Sequence, residues 1–594
     1  MSHQARAALA GGALGLALGI LALGPALGWG FVLLQDMVFV PDPAFSLFTF
    51  GLAGGAPRVV PSDAVVTALS QVLPGELVQK LILLSIFVLG ASGAAILVPA
   101  PLAPRLVAAS FYIWNPFVAE RLLIGQWALL LGYAGLPWVV HAISQGRRLA
   151  VSLLPAATGG FAAMLVTTVT ALPVAAFLDR EARGKSQDGD SRKADGKDSG
   201  TSLPTRGVRA EDVRDSEEGL PGRGVGAGGD GVVARRSSLK RWGALSGWGR
   251  GLRVGVVLVG FCSPWLVAAA LRPAGLEGDP VGVEAFASRA DTPFGAVGSL
   301  LSLGGIWNAN AVPAGYDGVV GATARLLLSV VGIAGFWWLG RRLAYRNGLV
   351  VAGVVGFVIG AAGVTEAGRA VLKWLVGVWG GFAVFRDAQQ YVAPVALMAA
   401  VGLGLLAAAA VRERPVEVEG RAKQRVGSSA GRRWVAALVV VPVAVLPTMA
   451  WGCLGALEAV AYPRSWYEAR EVLREDPGAG DVLVLPFESY RRFGWNGHRA
   501  VLDPAQRFFA VPGRRVVTND LVRVGELVVR SEDPRAAEVE RVLEAGSPDL
   551  AHMGFRYVIV DAGTVEERKR FASWLADAEV VVESAELSLY RWER

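Results

Sequence analysis

The chain has 594 residues, of which 53% are hydrophobic and 18% charged, and its formal net charge is +7. Soluble domains carry about 25% charged residues, and here the charges cluster and leave long neutral runs between them, which excludes a soluble globular protein. The basic balance does not indicate nucleic acid, because much of the Lys and Arg falls in short loops between apolar runs, where it sets membrane orientation.

The apolar runs lie at 8–34, 81–99, 103–118, 122–142, 254–271, 319–340, 348–364, 391–411 and 434–455, and runs of about 20 residues are membrane-helix candidates. The first exceeds the 7–15-residue core of a cleaved signal peptide and is read as a retained helix. Arg6 places the N-terminus in the cytoplasm and the 35–80 loop outside, with Lys80 a mild exception. Arg105, Arg147 and Arg148 mark inner ends, as do Arg341, Arg342, Arg346, Arg412, Arg414, Arg432 and Arg433. The stretch 149–177 has basic residues at both ends, and Pro155 with Gly159 and Gly160 predicts a hairpin of two short helices. The sum is about eleven crossings.

Four regions follow: an N-terminal transmembrane region with the first outer loop (1–178), a cytoplasmic linker (179–253), a second transmembrane region (254–455) and an extracytoplasmic segment (456–594). The linker is rich in Gly, Ser and charge, so disorder is expected. Its Gly224, Gly226 and Gly229 match a dinucleotide fingerprint, but no strand precedes them and no helix follows, so the match is set aside. The tail reads as a small α/β unit. "DVLVLPF", "RRVVTND" and "FRYVIVDAG" are strands, "AAEVERVLEAG" and "TVEERKRFASWLADA" are amphipathic helices, and "EVVVESAELSLYRW" is a terminal hairpin. Cys262 and Cys453 each sit inside an apolar run and form no disulfide or metal motif.

Polar side chains collect in the outer loops. "LQDMVFVPDP" carries Asp36 and Asp42, "WNPFVAERLLIGQW" carries Asn115, Glu120, Arg121 and Gln126, and "FRDAQQY" carries Arg386, Asp387, Gln389 and Gln390. The Phe, Leu and Trp of the 272–318 loop point to a segment lying at the interface. Carboxylates can deprotonate a hydroxyl or hold a divalent cation, and the planar fork of Arg suits a phosphate. These are parts for moving a sugar from a lipid phosphate to an alcohol. The plainer reading is that loop polar residues are solvated and that interfacial Trp and Tyr form ordinary belts.

The first helix followed by "LQDMVFVPDP" resembles the glycosyltransferase C superfamily of polyprenyl-phosphate-sugar-dependent enzymes. "WNPFVAERLLIGQWALLLGYAGLPW" and "FRDAQQYVAPVAL" are similar to actinobacterial arabinofuranosyltransferase-like membrane proteins, over about 1–455. The resemblance implies a catalytic base or metal ligand at Asp36, with Asp42 as the other catalytic candidate. Glu120, Arg121, Gln126, Arg386 and Asp387 are candidates for binding substrate and phosphate. It implies a divalent cation as cofactor, with Asp36 as its ligand, and as partners membrane lipid, a lipid-linked sugar donor and a glycan acceptor. The tail, a small α/β unit with no β-sandwich carbohydrate module, departs from the large arabinofuranosyltransferases.

The expected function is an inverting glycosyltransferase at the outer face of the plasma membrane, for cell-envelope glycan assembly. A lipid or glycan flippase or transporter is the rival; an ion-coupled carrier would place ionisable residues at mid-membrane, whereas these runs are nearly free of Asp, Glu and Lys, which disfavours ion coupling and leaves a lipid flippase open. A non-catalytic assembly scaffold is the third reading. The orientation is open to test by cysteine labelling in intact cells, with Cys262 and Cys453 replaced by Ser. Arg530→Cys should be reached by an impermeant reagent and Asp215→Cys protected; the reverse pattern inverts the topology.

Overall fold

The computed structural model describes residues 2–195, 249–272, 278–411, 429–546, 548–561 and 564–592. Helix α1 (His3–Leu23) ends where Gly24 takes a φ of 45° and Pro25 follows. The first apolar run is therefore not one helix to residue 34. Residues 31–34, assigned to that span from sequence, form strand β1 (Phe31–Val32) and the entry to a tight turn, and they are buried by protein.

The chain continues through α2 (Ser62–Ser70), α3 (Gly75–Leu97), α4 (Leu102–Ile113), α5 (Pro116–Leu123), α6 (Trp127–Gln145), α7 (Leu149–Thr158), α8 (Gly160–Asp195) and α9 (Arg250–Ala270). The short α10 (Gly282–Ala285) and α11 (Gly295–Leu301) precede α12 (Val319–Leu339), α13 (Arg346–Ala362), α14 (Glu366–Val378), α15 (Ala393–Val411), α16 (Ser429–Val445) and α17 (Ala450–Gly455). Among the described residues, seven helices are long and apolar enough to cross a membrane, or nine if each bent pair is one span. The expectation of about eleven counts α4 and α7, which have 12 and 10 residues, short of the roughly 20 that a bilayer needs.

The apolar stretch 149–177 breaks at Gly159 and Gly160, where the sequence places a turn, and Gly160 has a φ of 79°. Only the first limb is short; the second is a full span. The chain then returns to the end where α6 finished. Gly251 N donates to Asp179 Oδ2 at 2.8 Å, and Arg250 reaches the Ile143 carbonyl at 3.4 Å. Helix α8 runs on to Asp195, so 179–195 are helical where the sequence predicts an unstructured linker; "REARGK" contains good helix formers. The rest of the linker to 248, with Gly224, Gly226 and Gly229, lies outside the described residues, as do Arg412 and Arg414.

At the opposite end of the bundle the loops meet. Arg272 donates to the Gly54 carbonyl at 3.2 Å, Ser288 to that of Gly360 at 3.0 Å, and the Trp114 indole to that of Leu446 at 2.9 Å. Helix α14 bends 93° away from α13. It buries Leu372 and Val376 against Val283 while Val371, Trp374 and Val378 stay exposed. That is the form of a helix lying along a lipid boundary. The sequence assigns this role to 272–318, but Ser288, Asp291 and Leu303 of that loop are instead buried over α5 and α13.

Past α17 come β2 (Ala459–Val460), α18 (Arg464–Glu475), β3 (Asp481–Leu485), β4 (Tyr490–Arg492), β5 (Ala500–Leu502), α19 (Ala505–Phe508), β6 (Val516–Val517), β7 (Val522–Val524) and β8 (Leu527–Val529). Then follow α20 (Pro534–Glu544), β9 (Phe555–Val560), α21 (Val565–Trp574), β10 (Glu579–Glu583) and β11 (Ser588–Arg591). Five strands form a sheet in the order β10-β11-β9-β3-β6, with β3 parallel to both neighbours and β11 antiparallel to both of its own. Strand alternation divides its faces. Val482, Val484, Tyr557 and Ile559 join Trp466 of α18 in the core that continues into the helical bundle. Leu483, Leu485, Val558 and Val560 pack on Val539 of α20 and Phe571 of α21. Strand β1 pairs with β2, Phe31 opposite Val460, so the first loop and the C-terminal segment share backbone hydrogen bonds.

Small residues set the helix crossings, as in membrane bundles generally. A Cβ on Gly402 of α15 would lie 1.8 Å from the Gly332 carbonyl oxygen of α12. Gly402→Ala should therefore cost about 1–3 kcal/mol, read as a lower Tm in detergent. Gly377→Ala on α14, where nothing lies within 4 Å, should hold or raise Tm, since Ala is the better helix former.

Candidate active site

Asp36 sits at the tip of a two-residue turn. Met37 N donates to the Leu34 carbonyl at 2.9 Å, and Gln35 takes a φ of 49°. On one side, Asp36 N donates to the Ile124 carbonyl at 3.0 Å. The approach there is so close that a Cβ on Gly125, whose φ is 81°, would lie 2.2 Å from Met37 N. On the other side, Gln35 N donates to the Ala500 carbonyl at 2.7 Å and Leu502 N to the Gln35 carbonyl at 2.8 Å. The turn is thus clamped between the α5–α6 junction and β5.

The Asp36 carboxylate is half-buried, and its Oδ1 accepts the Tyr490 hydroxyl of β4. Burial raises the carboxyl pKa, and the charge of Asp387 adds to it; Tyr490, Arg58 and Gln126 offset part of the rise. Burial and the facing carboxylate hold the Tyr490 phenol well above its ordinary value, so it donates and does not ionise.

Asp387 is gripped by Arg121 in a two-pronged pair, at 2.6 and 3.1 Å, and by Gln126 Nε2 at 3.3 Å. The Arg121 guanidinium also holds Gln126 and Gln389 and is fully buried. The expected phosphate ligand Arg121 therefore has an internal carboxylate partner. Helix α5 sets this position: Asn115 caps it by accepting from Val118 N at 3.2 Å, and Pro116 is its first residue. One position earlier, Glu120 faces inward and is fully buried, not exposed to substrate. Its Oε2 accepts from Ile306 N at 3.2 Å and from Gln389 at 3.5 Å. A Cβ on Gly304 would lie 2.7 Å from Glu120 Oε1 and 2.8 Å from Asp291 Oδ2, so only glycine leaves room for this carboxylate pair. Burial, with the Asp291 charge beside it, pushes the Glu120 carboxyl well above its ordinary value, so it keeps its proton.

The second catalytic candidate lies elsewhere. Asp42 has a φ of 45° and a 75% exposed side chain, and it faces Arg470 of α18 at 3.7 Å. Arg470 also donates to the Pro41 carbonyl at 2.7 Å, which ties this loop to the C-terminal segment, and Asp42 does not join Asp36. Arg386 stacks on Phe286 and reaches Glu532 at 3.4 Å. Glu532 also pairs with Arg58 of the first loop. Sequence reading missed Arg58, Tyr490 and Glu532, because no local pattern links "APRVVP", "ESYRRF" and "RSEDP".

The expected cation finds no prepared ligand set here. Asp36 Oδ1 is taken by Tyr490 and both Asp387 oxygens by Arg121 and Gln126. Among the described residues no cluster of three or more His, Cys, Asp or Glu is arranged to hold a metal. If Arg121 serves Asp387, Arg121→Gln should cost about 3–5 kcal/mol, as for breaking a buried ion pair, read as lost Tm and yield. A stable Arg121→Gln variant that only loses donor binding would return Arg121 to the phosphate.

No family model and no curated protein sequence matches the chain. Solved structures do. The arabinofuranosyltransferase AftD from Mycobacteria superposes with a TM-score of 0.52 at 14% identity, over 100% of this chain and 40% of that one. Its R1389S mutant gives 0.51 at 16% identity, over 100% and 42%. The oligosaccharyltransferase AglB from Archaeoglobus fulgidus gives 0.37 at 11% identity, over 93% and 69%, too low for a comparison of fold. The chain therefore shares its fold with part of AftD, and spans about 40% of the length of that protein.

Proposed function

We propose that the chain is an inverting membrane glycosyltransferase that takes a sugar from a polyprenyl-phosphate donor at the outer face of the plasma membrane, for cell-envelope glycan assembly. The observation that carries this reading is the half-buried Asp36, rigidly held by its backbone and made more basic by burial. The fold likeness to a protein named as an arabinofuranosyltransferase supports the class. The arginine distribution supports a cytoplasmic N-terminus and an outer C-terminal segment.

In this reading Asp36 accepts the proton of the acceptor hydroxyl as that oxygen bonds to the anomeric carbon of the sugar. The bond from that carbon to the donor phosphate breaks on the opposite face, and its electron pair leaves with the phosphate. Tyr490 fixes the Asp36 carboxylate and leaves Oδ2 for the proton. Arg121, Asp387 and Gln126 form a braced wall beside it. Arg386 meets the phosphate. No step uses a metal, in keeping with the donors that already hold these carboxylates.

Asp36→Asn should leave folding intact and lower transfer by roughly 10²–10⁴-fold, measured with a panel of polyprenyl-phosphate sugars. The base must be ionised, so the rate should rise with pH through a value above that of an ordinary aspartate, since the Asp36 pKa is raised. Tyr490→Phe removes a bond that lowers that pKa and should move the acid limb to higher pH. Full transfer by Asp36→Asn overturns the assignment.

A further inference from the structure

Glu532 lies at the meeting point of two arginines from distant parts of the chain. Its Oε1 accepts from Arg58 Nη2 and from Arg386 Nη1, and its Oε2 from Ala56 N at 3.4 Å. The Glu532 and Arg386 side chains are 9% and 11% exposed, and that of Arg58 is 51% exposed. Glu532 is held in place by its own backbone: Asp520 Oδ2 accepts from Glu532 N at 3.0 Å and Asp533 N at 3.1 Å, and Asp279 Oδ2 from Arg530 N at 3.0 Å.

Two guanidinium groups on one carboxylate oxygen are a geometry built for an oxyanion with more charge and more acceptors than a carboxylate. A phosphate has both. The arginines repel each other: burial first, then the charge of Arg58, pulls the Arg386 pKa down to about 10. Burial alone would raise Glu532, yet Arg58 and Arg386 outweigh it and hold its carboxyl below the ordinary value. The position also suits a lipid-borne ligand. Arg386 follows the 380–385 turn, which leads out of α14, and Trp374 and Trp379 of that region are exposed.

We infer that Arg58 and Arg386 form a receptor for a phosphate group, and that Glu532 occupies it in the resting chain as an internal stand-in that the phosphate displaces. Arg58, which the transferase reading does not use, becomes a phosphate ligand beside Arg386. The C-terminal segment becomes the element that closes the receptor until a phosphate arrives. The identity of the phosphate carrier rests on the transferase reading; the receptor itself does not.

The test uses the full chain in phosphatidylcholine nanodiscs. Undecaprenyl phosphate in the bilayer and inorganic phosphate in the water are the two probes, and binding is followed by phosphorus NMR and native mass spectrometry. Glu532→Gln should bind phosphate roughly tenfold or more tighter than the parent chain, the scale of one charge-assisted hydrogen bond. Glu532→Ala should show the same gain. Adding Arg58→Gln or Arg386→Gln should remove it. A gain confined to undecaprenyl phosphate assigns the receptor to a lipid headgroup, and an equal gain with inorganic phosphate assigns it to free phosphate. No gain in either Glu532 variant, or a gain that survives loss of both arginines, overturns the inference. If both Glu532 variants fail to fold, Arg58→Gln alone must weaken binding by the parent chain, and unchanged binding overturns it. A chain that binds phosphate in this way but transfers no sugar keeps the receptor and loses the transferase reading.

Discussion

The close approach of the Leu34–Met37 turn to Gly125 is the constraint on which the rest of the site depends. A side chain at residue 125 would occupy the space of the Met37 amide. That contact brings Asp36 N onto the Ile124 carbonyl and sets the carboxylate beside Gln126 and Asp387. The turn is also a strand partner for the C-terminal segment through Gln35 and Leu502. One two-residue tip therefore fixes the first loop, the α5–α6 junction and β5 against one another. A carboxylate whose backbone is held on both sides has little conformational freedom left to lose, the arrangement that the proposed role of Asp36 needs.

The carboxylates around that tip have different partners. Deep in the bundle, Glu120 and Asp291 share one small space, and a carboxyl that keeps its proton avoids the cost of two adjacent buried charges. One layer out, Asp387 has a fully buried Arg121 as its partner, with two glutamines completing the network. Asp36 accepts the Tyr490 hydroxyl and lies beside Gln126. The three carboxylates thus differ in partner: one keeps its proton, one is paired with an arginine and one accepts a phenol. The C-terminal segment supplies both Tyr490 and Glu532, so the sheet domain is part of the site as well as an appendage to the membrane region.

Some of this was legible in the chain. Most apolar runs became helices near their predicted bounds, since a hydrophobic stretch of bilayer length carries its own signal. The Gly159–Gly160 break was legible because glycine takes the positive φ that a tight reversal needs. In the tail, β3, β6, β9, β10, β11, α20 and α21 were legible from their periods of two and 3.6, whereas α18 and the short β4 and β5, which meet the first loop, were not. Misreadings came where burial by protein imitates burial by lipid. Residues 31–34 are apolar because β2 and the core cover them, and hydropathy cannot tell the two solvents apart. Likewise an interface-lying segment was read in 272–318, whereas α14 is a bent-away helix with an exposed Trp374.

The amino-acid sequence by itself determined that this is a helical membrane protein, that acidic and basic residues gather in the loops of one end, and that Asp36 follows the first helix. These are local properties of composition and spacing. Only the tertiary structure decided which charges meet. Arg121 and Asp387 are brought together across the bundle, Asp36 and Tyr490 across most of the chain, and Asp42 goes to Arg470 and not to Asp36. The partner of a charge is set by the three-dimensional path of the backbone, and the cost of burying it unpaired acts only once the helices have packed.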